Sequence, residues 1–113
     1  MVKLIVCARR KPDMGVEEFH AYWRKQHGEL IKSIPAFRKY IRRYVQCHTI
    51  SQAYARHAAP FDGAAELWFD NLEAIDAFLS DPEYIAKVRP DELKFNDHPN
   101  LVWFVTQEET MIE

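Results

Sequence analysis

The sequence predicts an α+β fold in which short strands form one antiparallel sheet and helices lie on one of its faces. Three observations carry this prediction. Apolar residues recur at helical spacing from Phe19 to Ile34. Four short runs, starting near Val2, Ala36, Gly63 and Leu101, are rich in β-branched and aromatic residues. These segments follow one another as strand, helix, strand, strand, helix, strand. At 113 residues the chain suits one domain, spanning 1–113, with a core of useful size.

Val2 to Arg9 reads as the first strand, with Val2, Leu4, Val6 and Ala8 on one side and Lys3, Ile5 and Cys7 on the other. Pro12 to Gly15 is a turn, and Gly15 with Glu18 can cap a helix that runs to about Ser33. On that helix Phe19, Tyr22, Trp23, Gln26, His27, Leu30, Ile31 and Ile34 share an inner face. His27 is out of character there. It takes a place where an aliphatic residue is expected, and Gly28 after it costs about 1 kcal/mol of helix propensity relative to Ala. Pro35 stops the helix.

Ala36 to Ile50 alternates as a long second strand with neither face wholly apolar. Ser51 to Pro60 reads as a loop with one helical turn, long enough to act as a lid. Gly63 to Asp70 is the third strand. Asp70 and Glu73 suit a helix cap, with Leu72, Ile75, Phe78 and Leu79 inward. A short helix begins at Asp81-Pro82, carries Tyr84, Ile85 and Val88, and is expected to stop before Pro90. Leu101 to Thr106 is the last strand. This order is the ferredoxin-like βαββαβ arrangement. Two helices cover only one side of its sheet, so pairing of two sheets in a homodimer is expected to cover the other.

Composition narrows the function. Apolar residues make up 48% and charged residues 28%, and the formal charge is −2. No net field favours nucleic acid or anionic lipid, and neither is expected as a partner. No apolar run reaches the length of a signal core or membrane span, which places the expected site of action in the cytoplasm. Cys7 and Cys47 stand alone, without paired spacing. The histidines lack metal-ligand spacing, and three glycines cannot supply a phosphate loop or a dinucleotide fingerprint. Neither a metal nor a cofactor is expected.

The residues themselves resemble a known family. Tyr22-Trp23-Arg24-x-x-His27-Gly28, then Pro35 and Tyr40, is similar to the EthD-like branch of the dimeric α/β-barrel superfamily. Asp62 to Phe69, Pro82-Glu83-Tyr84 and Asp91-Glu92-x-x-Phe95-x-Asp97 agree with it. Gly15 departs from it, standing where the family usually has a Ser or Thr cap. The resemblance implies the ferredoxin-like fold, the barrel dimer, and a pocket between sheet and helices. Such pockets are lined by a His of the first helix and a Tyr of the second strand, the positions of His27 and Tyr40. Enzymes among the relatives are cofactor-free, and include cyclases, decarboxylases and oxygenases of aromatic polyketides and a lactone isomerase.

Candidate catalytic residues are therefore His27, Tyr40 and His57. His27 would move a proton beside a carbonyl or phenol, Tyr40 would steady the resulting oxyanion, and His57 would close over the pocket from its loop. Glu66 interrupts an apolar strand and must pair or face the pocket, where it would orient His27 or meet an Arg. Trp23, Trp68, Phe78 and Phe95 are core aromatics that would also give a pocket flat walls for a small hydrophobic or aromatic ligand. The expected activity is that of a homodimeric, cofactor-independent lyase, isomerase or cyclase acting on an aromatic or enolisable ring. A non-catalytic carrier of a hydrophobic intermediate and a cofactor-free oxygenase are the alternatives.

Overall fold

The computed structural model covers residues 1–113. Four strands, β1 (Val2–Ala8), β2 (Ile41–His48), β3 (Gly63–Phe69) and β4 (Val102–Thr106), form one antiparallel sheet in the order β2-β3-β1-β4. The two central strands pair Leu4 with Leu67 and Val6 with Ala65. Alternation then fixes the faces. Leu4, Ala8, Leu67 and Phe69 are buried beneath the helices, in contact with Ile31, Ile75, Phe78 and Phe95 or their neighbours.

The first helix is built in three parts. α1 (Val16–Tyr22) continues through a π-helical turn (Trp23–His27) into α2 (Gly28–Ser33). Glu18 accepts the Gly15 amide at 3.4 Å, as the capping pattern predicts. The π turn is marked by Gly28 N–H bonding to Trp23 O. It alters which residues share a face. In a regular helix of 3.6 residues per turn, Tyr22 and His27 would diverge by about 140°; the widened turn brings them to one partner, described below. Gln26, expected on the inner face, is exposed.

Gln46 explains the position of Gly28. From β2 its amide donates to Trp23 O at 2.9 Å, and a Cβ on Gly28 would lie 3.1 Å from that amide nitrogen. Gly63 is similarly confined, since a Cβ there would press on Cys47 O and the Trp23 ring.

Several expected boundaries move. Pro35 to Lys39 forms a 3-10 turn rather than the start of a strand, so β2 begins at Ile41 instead of Ala36. The segment Ser51–Arg56 is a short helix, α3. For α4 (Leu72–Ser80) the cap is Asn71, whose side chain accepts Ala74 N–H at 2.9 Å, in place of Asp70. Leu72 is half exposed instead of inward, and Ile85 is half exposed too. Pro90 does not end the last helix. A π turn (Tyr84–Val88) precedes it and the chain runs on as α5 (Arg89–Phe95), with Pro90 directly after the widened turn. That extension carries Asp91 and Phe95 to the first helix. No helix is long and apolar enough to cross a membrane.

Candidate active-site cavity

Between the sheet and the helices lies a cavity of about 240 Å³. Fifteen of its 20 lining residues are hydrophobic, so a ligand there meets mainly apolar wall. Leu4, Val6 and Leu67 form the floor, and Trp23, Phe78 and Phe95 supply aromatic walls. Exposed Arg89, His98 and Trp103 also line it and mark its mouth, between α5 and β4.

His27 is the buried polar group of the first helix, 5% exposed. Its Nδ1 lies 2.8 Å from Asp91 Oδ2, while the Tyr22 hydroxyl donates to Asp91 Oδ1 at 2.5 Å. A carboxylate can only accept, so the Nδ1 carries the proton and Nε2 is left with its lone pair. Nε2 has no protein partner, yet it is not among the sealed atoms, so it remains open to the cavity. Burial lowers the His27 pKa, against the opposing pull of Asp91. The ring is therefore a neutral base with a fixed tautomer.

Three more polar groups enter. Tyr44, from β2, accepts a hydrogen bond from Gln46 Nε2 at 2.8 Å and keeps its own O–H free to donate. Burial pushes its phenol up to about 12, so it stays protonated. Glu92 accepts the Tyr84 hydroxyl at 2.8 Å, and burial raises the carboxyl above its ordinary range. Asn96 lines the cavity with an amide oxygen that has no partner. No group of three or more His, Cys, Asp or Glu side chains is placed to hold a metal ion.

A base held by a carboxylate, a phenolic donor and aromatic walls can take a proton from a flat apolar molecule and steady the oxyanion that results. Comparison with known proteins then adds the lineage. The EthD domain family matches residues 11–99. The chain belongs to the EthD family.

Solved structures agree on the fold. An EthD family protein from Bacillus halodurans C-125 is 21% identical over 96% of this chain and 99% of its own, with a TM-score of 0.72. A dimeric protein of unknown function with a ferredoxin-like fold, from Bacteroides fragilis, is 20% identical over 95% of both chains (TM-score 0.70). An EthD-like protein from Ralstonia eutropha JMP134 is 17% identical over 99% of this chain and 93% of its own (TM-score 0.66). None of the curated proteins matches. The fold of this EthD chain is thus ferredoxin-like.

The structure brings His27, Trp23, Phe78 and Phe95 together around the cavity and leaves the other candidates outside it. Tyr40 ends the 3-10 turn and donates to Asp81 Oδ2 at 2.9 Å. With β2 starting later, Tyr44 takes the inward place. His57 follows α3, exposed and without a side-chain hydrogen bond, and does not cover the cavity. Glu66 and Trp68 point to the open face of the sheet, opposite in parity to Leu67. There Glu66 pairs with Lys3 at 2.7 Å and accepts the Cys47 thiol at 3.1 Å. Trp68 lies between the Lys3 and Arg43 cations, 4.8 and 4.7 Å from its ring centroid. The partner of His27 is Asp91, not Glu66. Asp91, Tyr44, Glu92 and Asn96 went unassigned in the sequence. Asp91 and Phe95 at helical spacing after Pro90 were the available signal.

Proposed function

We propose that this EthD chain is a homodimeric, cofactor-independent enzyme that moves a proton on an enolisable or aromatic ring. The single observation that carries the reading is His27: Nδ1 is tied to a buried carboxylate and Nε2 opens, without a partner, into an apolar cavity. In the first step His27 Nε2 takes the proton from the carbon beside a ring carbonyl. The Tyr44 hydroxyl donates to the oxygen as negative charge gathers there, and Asp91 steadies the imidazolium. Return of the proton to a different carbon gives an isomer; its return after ring closure gives a cyclised product. Lyase chemistry needs only that the carbanion expel a group instead.

The homodimer rests on the open face of the sheet and on β4. Val102, Trp103, Phe104 and Val105 are each at least 38% exposed, an apolar strip in need of a cover. The similar Bacteroides fragilis protein is described as dimeric.

A thermal-shift screen of phenols, anthrones, lactones and β-keto compounds on wild type and His27→Gln tests the reading. A ligand at about 100 times its Kd stabilises by roughly 2.7 kcal/mol. An enzyme predicts a compound bound by both proteins and transformed by wild type alone. Binding without change by either would make the chain a carrier.

A further inference from the structure

The inward side of β2 is polar where the inward places of β1 and β3 are apolar. Tyr44, Gln46 and His48 take alternate positions on it, opposite Leu67, Ala65 and Gly63 of β3. Tyr44 lines the cavity, whereas Gln46 and His48 do not. The Gln46 amide joins the three. Trp23 O can only accept, so the amide nitrogen is the end that faces it, at 2.9 Å. The same nitrogen meets the Tyr44 hydroxyl oxygen at 2.8 Å, so its two hydrogens serve Trp23 and Tyr44. Oε1 is left to accept His48 Nε2–H at 2.8 Å. Turning the amide over would set its oxygen against Trp23 O and its NH2 against the His48 N–H. Its orientation is therefore fixed.

We propose that Gln46 is a positioning residue: it aims the Tyr44 hydroxyl at the ligand oxygen and ties that donor to the turn that carries His27. This rests on the proposed reading of the same cavity. A phenol O–H lies near its ring plane and has two resting positions. The amide hydrogen occupies one of them, and no protein acceptor takes the O–H at the other. Donation onto the phenol oxygen also strengthens what its own O–H can give. As donors, Gln46 and Trp23 draw the Tyr44 phenol down, against the larger effect of burial. The tie to the base runs through the widened turn, Trp23–His27. Trp23 O already takes Gly28 N–H there and receives the amide as well. Gly28 leaves the amide its room, because a Cβ would lie 3.1 Å from the nitrogen. One side chain thus sets both the aim of the donor and its place relative to the base.

The test uses the full chain and α-tetralone labelled with carbon-13 at its carbonyl. Infrared difference spectra read the bound carbonyl stretch, and solvent deuterium entering the α-carbon reads turnover. In wild type the stretch should fall below its value in an apolar solvent, and Tyr44→Phe should undo most of that fall. Gln46→Glu keeps the size of the side chain but offers the phenol an acceptor, so the O–H turns from the ligand to the carboxylate. It should lose the same shift with Tyr44 intact. Exchange at saturation should drop about tenfold or more, while the half-saturating concentration moves about fivefold or less. Where Gln46→Glu does not fold, Gly28→Ala presses on the same amide without adding a charge, and must move the stretch in the same direction. A stretch unchanged in these variants, a stretch indifferent to Tyr44, equal losses in exchange and in binding, or failure of the tetralone to saturate would each overturn the proposal. If the stretch follows Gln46 while His27→Gln exchanges as fast as wild type, His27 fails as base and this inference stands. Exchange that needs His27, with a stretch blind to Gln46, does the reverse.

Discussion

Asp91 holds His27 Nδ1 at 2.8 Å on one oxygen and the Tyr22 hydroxyl at 2.5 Å on the other, joining two helices through a single buried carboxylate. Asp91→Asn leaves one of these donors facing an NH2 group. The expected loss is about 2 kcal/mol, the range for hydrogen bonds to a charged group. Chemical denaturation reads that loss. The amide also lets the ring take its other tautomer, so turnover should fall far more than ligand affinity does. A variant with full stability and full turnover would remove Asp91 from the account.

The cavity assigns its phenolic donor to Tyr44. Tyr44→Phe should retain ligand binding and lose at least tenfold in turnover, about 1.4 kcal/mol of barrier. Tyr40→Phe and His57→Ala should leave turnover unchanged, because one binds Asp81 at the surface and the other is exposed. Parallel kinetics on the three variants separate the two tyrosines. A Tyr40 effect equal to that of Tyr44 would contradict the geometry.

Acid should weaken the fold before the carboxylates held low by their partners titrate. Burial lowers the pKa of His27 and His20, and holds His48 down to about 4, with the His20 and Arg24 charges adding to the effect on His48. Each ring takes a proton more readily in the unfolded chain. Stability is therefore full above about pH 6.5 and falls as pH drops toward about 4. Glu66, held low by Lys3, adds its own loss only below about 4.5, whereas Glu92, raised by burial, holds its proton more tightly in the folded chain and partly offsets the histidines in the window above that. One such proton contributes at most about 1.4 kcal/mol per pH unit, and less for the partly solvated His48. Urea titrations from pH 7 to 4.5 should show a shallower slope for His48→Gln than for wild type; equal slopes would contradict the assignment.

How much of this was open to reading in the sequence depends on the length of each signal. The apolar stripe of the first helix runs through several turns, and it exposed His27 as the residue that breaks the pattern. β1 alternates clearly enough to set its two sides. In β3, however, Trp68 on the open face looks as apolar as Leu67 on the inner one, which hid the side to which Glu66 points. The run from Ala36 to Ile50 alternates on both parities, so nothing local showed that Pro35 would set a 3-10 turn and displace Tyr40 by Tyr44. The Asp91 pairing spans 64 positions and needs two π turns, one to align Tyr22 with His27 and one to carry the helix past Pro90. Neither turn has a local sequence mark.

The exposed strip on β4 bears on assembly. Phe104, opposite Ile5 on the open face, is 46% exposed. Sedimentation should find wild type as a dimer and Phe104→Glu as a folded monomer, since a charge at the centre of an apolar interface is costly to bury. A wild-type monomer at micromolar concentration would remove the homodimer.

The most direct measurement follows deuterium from solvent into the α-carbon of a bound cyclic ketone, by proton NMR, for wild type and His27→Gln. If His27 Nε2 is the base, wild type accelerates exchange well above the buffer rate, and His27→Gln binds the ketone without accelerating it. Equal acceleration by both proteins would contradict the central claim, whatever else the cavity binds.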